Sequence, residues 1–139
     1  QALVDKFGAQ LETSFGQNPS AEGDGHDKFA ELATAAGFDG TSAFSGEAYD
    51  AAAMMLLAMA AAKSSDPKVY KDKVMEVANA PGEKVLPGEL AKGLELLAAG
   101  TDIDYVGATS VELVEPGESS GVYREVDFKG GKLNVVGFR

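Results

Sequence analysis

An unbroken apolar run, Ala51 to Ala62, most constrains what this chain can fold into. It is Ala-rich, interspersed with Met54, Met55, Leu56, Leu57 and Met59, and bounded by Asp50 and Lys63. It is too short for a bilayer, which needs roughly 20 apolar residues. The pattern instead predicts a buried helix from Ser45 to about Lys63. Ser45 reads as the N-cap, and Glu47 falls in the first turn, facing the positive end of the helix dipole. A helix apolar over most of its circumference needs other structure to cover it. The three methionines, at helical spacing beside Leu56 and Leu57, read as core packing rather than as an adaptable binding surface.

The 139 residues fit one domain, 1–139, with enough apolar content to bury a core. The net charge of −10 repels phosphate backbones and anionic lipid, which argues against nucleic acid and membrane surfaces as partners. Cysteine is absent, so disulfides, thiolate metal sites and Cys nucleophiles are excluded together. Tryptophan is absent too, which excludes a Trp-based binding cage. No signal peptide is visible, and the first residue is Gln rather than Met, so a truncated end is expected.

Five helices are expected in all. Residues 2–8 place Leu3, Val4 and Phe7 on one face, and Gly8 can stop them. Leu11 to Phe15 reads as a strand, and Gln17 to Gly25 as a loop rich in turn residues. A helix over 27–36 follows, with Phe29, Leu32, Ala33 and Ala36 as its stripe and Gly37 as its stop. After the long helix, Asp66 is an N-cap and Pro67 a first helical residue, with Tyr70, Val74, Val77 and Ala78 on the buried side as far as Asn79. The fifth helix spans 88–99, with Leu90, Leu94 and Leu97 inward and Gly100 as its stop. From Ser110 the chain reads as β. A strand over 110–115 is followed by a Pro116-Gly117 turn. Alternation then runs over Val122–Phe128, and Gly130-Gly131 turns into a returning strand, Leu133–Phe138.

No catalytic constellation emerges. His26 is the sole histidine and reads as a solvent-exposed loop residue, since a lone His without Cys or a spaced second His is weak evidence for a base or a metal site. Glu22-Gly23-Asp24-Gly25 and Asp102-Ile103-Asp104 read as solvated turns, because neither matches a calcium loop. There is no nucleophile elbow, phosphate loop or His-Glu-x-x-His. The expectation is no enzyme, no cofactor and no metal. Tyr49 reads as a core aromatic whose hydroxyl finds a hydrogen bond.

Phe44-Ser45-Gly46-Glu47-Ala48-Tyr49-Asp50-Ala51 sets an aromatic and a short spacer before Ala-Tyr-Asp-Ala at the opening of the apolar helix. It is followed by Ala80-Pro81-Gly82-Glu83-Lys84-Val85, Pro87-Gly88-Glu89-Leu90-Ala91-Lys92 and Asp102-Ile103-Asp104-Tyr105-Val106-Gly107-Ala108. That order and spacing resembles the C-terminal portion of branched-chain amino acid ABC transporter substrate-binding proteins, of the leucine/isoleucine/valine-binding, type I periplasmic kind. The resemblance covers nearly the whole chain and is strongest from Phe44 onward.

The resemblance implies a periplasmic solute-binding protein in which two α/β lobes close on an amino acid without chemistry and then dock on a membrane permease. It implies that helices of this segment belong mainly to one lobe while the final strands return toward the other. It implies an α+β piece of an α/β fold: four to five helices beside a small C-terminal antiparallel sheet, lacking the parent parallel sheet. Phe44 matches the position of an aromatic that touches the ligand side chain. Glu47 is carried over as the second ligand-binding candidate, by its place at the helix start. With the parent sheet missing, the uncovered apolar helix and the C-terminal strand edge predict a homodimer. A free-standing interaction or structural domain, derived from such a protein and without a ligand site, is the alternative.

Overall fold

The computed structural model describes residues 2–139; Gln1 and the side chain of Leu3 lie outside the described residues. The chain forms two compact units, residues 21–121 and residues 1–20 with 122–139.

In the larger unit, α2 spans Asp24–Ala35 and α3 Ser45–Ala62. The expected single helix after Pro67 is broken. It comprises α4 (Pro67–Tyr70), a 3-10 turn (Lys71–Lys73) and α5 (Val74–Ala78). Asp66 caps α4 as expected, its carboxylate accepting from the Lys68 amide at 2.9 Å. Strand β2 (Glu83–Val85) leads through α6 (Leu90–Ala98) into β3 (Ile103–Tyr105), and β2 and β3 pair in parallel. A short antiparallel pair, β4 (Leu113–Val114) and β5 (Glu118–Ser119), completes the unit.

The parallel pair corrects two expectations. Asp102-Ile103-Asp104 is not a solvated turn but leads into and through the strand Ile103–Tyr105: Ile103 and Tyr105 point into the core while Asp104 alternates outward. Part of a parallel sheet is therefore present, and α3 packs onto it. Ala53, Leu57 and Ala58 join Val77, Ala78, Val85, Ile103 and Tyr105 in one buried cluster. Gly93 on α6 admits Leu57, whose Cδ2 lies 3.0 Å from where a Cβ would stand. Backbone contact this close favours glycine at that point. The inward face of α6 is Leu90, Gly93 and Leu97, whereas Leu94 is exposed.

The cover on α3 is one-sided. Leu57 is 0% exposed, but Leu56 is 53% and Met55 45% exposed. Leu56 and Met55 are thus not core residues, while Met54 packs against the core edge. The reason is angular: successive helical residues point about 100° apart, so Leu56 and Leu57 cannot share a face. The α2 stripe narrows likewise to Phe29 and Ala33, with Leu32 and Ala36 outside.

In the smaller unit, α1 (Ala2–Phe7) runs into a 3-10 turn over Gly8–Leu11. The expected strand at 11–15 is displaced. Strand β1 is Phe15–Ser20, starting at the last residue of that expected strand and running into the stretch from Gln17 that reads in the sequence as a loop, and it pairs antiparallel with β6 (Val122–Lys129). Long-range pairing supplies what local propensity does not. Strand β7 (Lys132–Phe138) pairs on the other side of β6. The Gly130-Gly131 turn is as expected, with φ of 61° and 67°, the left-handed pair that a two-residue hairpin requires. Val126, central on β6, is buried.

The described residues contain five helical stretches, counting the broken 67–78 run as one, and a small antiparallel sheet in which the C-terminal hairpin β6–β7 is joined by β1. This is the α+β arrangement expected for a portion of a periplasmic-binding-protein fold.

Candidate ligand site at the start of α3

The approach to α3 is fixed by Asp39. Its carboxylate accepts from the Thr41 amide at 2.9 Å, the Thr41 hydroxyl at 2.7 Å and the Ser42 hydroxyl at 3.3 Å. These bonds, the Thr41 hydroxyl first, hold the Asp39 carboxyl below its ordinary range. The Ser42 carbonyl then accepts from the Ser45 amide at 3.1 Å. Ser45 is consequently the first helical residue and not the cap. Phe44 occupies the cap position, at φ 68° and ψ 1°, with no side-chain capping bond. A bulky residue in the left-handed region is uncommon and costs on the order of 1 kcal/mol. Phe44 is 62% exposed. Glu47, half-buried, lies in the first turn beyond it.

Three glycines bring the surrounding backbone together here. A Cβ on Gly46 would stand 3.1 Å from Thr109 Cγ2, so the turn after β3 lies directly on the start of α3. A Cβ on Gly25, in the first turn of α2, would collide with the Gly107 carbonyl. Gly107 itself sits at φ 63° with Asp50 against its Cα. Val106 donates its amide to the Val85 carbonyl at 3.1 Å, tying the same turn to the end of β2. The starts of α2 and α3 thus converge on one turn at the carboxyl ends of two parallel strands. Open α/β sheets bind ligands at that edge.

Asp50 locks this convergence, and sequence reasoning did not single it out. It is 2% exposed. Its Oδ1 accepts from the Tyr105 hydroxyl and the Ala108 amide, both at 2.8 Å. Its Oδ2 accepts from the Thr109 amide at 2.8 Å and the Thr109 hydroxyl at 2.7 Å. A buried carboxylate is tolerated only with such compensation. Burial, followed by the adjoining Asp50 charge, pushes the Tyr105 phenol well above its ordinary pKa, so it stays a donor. The available signal was an acid interrupting the apolar face of a helix.

Of the remaining residues, Tyr49 is half-buried rather than a core aromatic, its ring tilted at 46° to that of Phe29 with centroids 5.1 Å apart; its hydroxyl finds a hydrogen bond as expected, accepting from the Gly88 amide at 3.0 Å. His26 is not in a loop but in the first turn of α2, half-buried beside Gly25. Among the described residues no group of three or more His, Cys, Asp or Glu side chains is gathered for a metal ion. Among the same residues no helix is long and apolar enough to cross a membrane.

Among solved structures, the chain aligns over 99% of its length with a leucine-binding protein, LivK, from Thermotoga maritima, at 17% identity and a TM-score of 0.64. The fold is similar to that of a leucine-binding protein. The alignment takes in 33% of that chain, so the present chain spans about a third of its length. No protein-family model matches the sequence, and no curated protein matches it.

Proposed function

We propose that this chain is part of the solute-binding component of an ABC importer, with branched-chain amino acids or related small amides as ligands. The likeness of fold to a leucine-binding protein over nearly the whole chain carries the reading. The start of α3 supports it chemically. First-turn amides of a helix have no intrahelical acceptors and favour a carboxylate. Glu47 supplies a counter-charge for an ammonium group, and the exposed, left-handed Phe44 supplies an apolar surface for a side chain. On this reading the protein works in the periplasm, binds by lobe closure without catalysis, and hands its ligand to a membrane permease. The test is a thermal-shift screen of the full-length gene product against amino acids, amides and sugars. A branched-chain amino acid raises the melting temperature, and Phe44→Ala weakens that binding about tenfold, the loss of one well-buried apolar contact. A shift with a sugar and with no amino acid would overturn the assignment.

One observation favours a second reading, an interaction domain that pairs with itself. Met55 and Leu56 form an exposed apolar face on α3 despite the parallel strands beneath it. Sedimentation velocity of the 139-residue chain at micromolar concentration gives a dimer on this reading, dissociated by Leu56→Asp. A compact monomer at all concentrations removes it.

A further inference from the structure

A groove of about 370 Å³ lies between the outer face of α2 and the turn after β2, and none of the residues that line it belongs to α3. Its apolar floor is Leu32, Ala35 and Pro87, and its rim carries Lys28, Glu31 and Glu89. The volume is in the range of small-molecule sites, roughly 300–1,000 Å³. The wall is built rather than incidental. Gly88 sits at φ 84°, and a Cβ there would stand 3.2 Å from Leu32 Cδ1. The Gly88 amide is anchored to the Tyr49 hydroxyl.

The rim charges are unequally engaged. Glu89 Oε2 accepts from the Leu86 amide at 3.0 Å, and its Oε1 pairs with Lys28 Nζ at 3.3 Å. Lys28 and Glu89 therefore largely satisfy each other. Glu31, one helical turn from Lys28 and next to Leu32, remains to meet a cation at the edge of the apolar floor. Leu32 is 41% exposed there. The wider field has the same sign: residues 1–20 and 122–139 together carry a net charge of +1, so 21–121 carries −11. An anion is disfavoured at this rim and a cation attracted.

We propose that this groove is a second binding site, taking small aliphatic compounds through an ammonium group on Glu31 with their hydrocarbon on Leu32, Ala35 and Pro87. Three probes share one branched hydrocarbon body: isopentylamine, leucine and isovalerate. Titrated into the isotopically labelled 139-residue protein, isopentylamine and leucine shift the Leu32 and Ala35 methyl resonances, and isovalerate leaves them in place. Glu31→Gln weakens the amine about tenfold, the loss of one charge-assisted bond. Equal shifts with isovalerate, silence of Leu32 with all three probes, or unchanged binding in Glu31→Gln would each overturn the proposal. The ligand site at the start of α3 reads out separately, through Gly46 and Thr109, so either site can fail without the other.

Discussion

Leu57→Asp unfolds the 21–121 unit, whereas Leu56→Asp leaves its stability within about 0.5 kcal/mol of the parent. Leu57 is fully buried among Ala53, Val77, Val85, Ile103 and Tyr105. Aspartate there forfeits roughly 2 kcal/mol of apolar burial. It also places an unpaired carboxylate in the core at a further cost of several kcal/mol. The sum rivals the whole stability of a domain, about 5–15 kcal/mol. Leu56 projects from the same helix into the open, 53% exposed, so its replacement disturbs no core contact. Urea unfolding of both variants, followed by circular dichroism, is the measurement. Equal loss in the two would mean that the helix is buried on both faces, and equal retention that it is buried on neither.

Asp50→Ala costs about 4 kcal/mol. It removes the common acceptor of the Tyr105 hydroxyl, the Ala108 amide, and the amide and hydroxyl of Thr109. Each buried donor left without a partner costs about 1–3 kcal/mol, and water entering the vacated space recovers part of the total. Asp50→Asn keeps the volume and one oxygen but turns an NH2 toward existing donors, so its loss is about half as large. Thermal melts of both variants test the ordering. Alanine melting like the parent would show that the 106–109 turn does not depend on Asp50. A loss in asparagine equal to that in alanine would mean that its remaining oxygen satisfies none of the donors.

Helix ends were legible where the sequence carries its own punctuation, although Ser45 is the first helical residue rather than the cap and the run after Pro67 is broken. Asp66-Pro67 opens a helix in any context, and Gly100, just past the end of α6, takes the left-handed φ that stops one. The β6–β7 hairpin was legible for the same reason, since Gly130-Gly131 meets a backbone requirement that few other pairs can. The parallel strands were not. Glu83–Val85 and Ile103–Tyr105 are three residues each and gain stability only by pairing across the intervening helix. The alternation of Ile103 and Tyr105 was present, but the flanking aspartates imitated a turn. Strand β1 contains Gly16, Asn18 and Pro19, residues that favour loops until β6 lies beside them.

At the candidate site the division is similar. Phe44 and Glu47 stand out in the sequence through resemblance and their place before an apolar helix. The left-handed turn at Phe44 depends on the Asp39 and Ser42 bonds that precede it, and the surrounding turn on contacts spanning more than fifty residues, from Asp50 to Tyr105, Ala108 and Thr109. By itself the sequence determined that a long apolar helix must be covered, where most helices stop, and that no thiol chemistry is available. The tertiary structure alone decided which side of that helix is covered and which carboxylate is buried. Burial and hydrogen-bond satisfaction belong to pairs of segments, and neither segment alone encodes where its partner will lie.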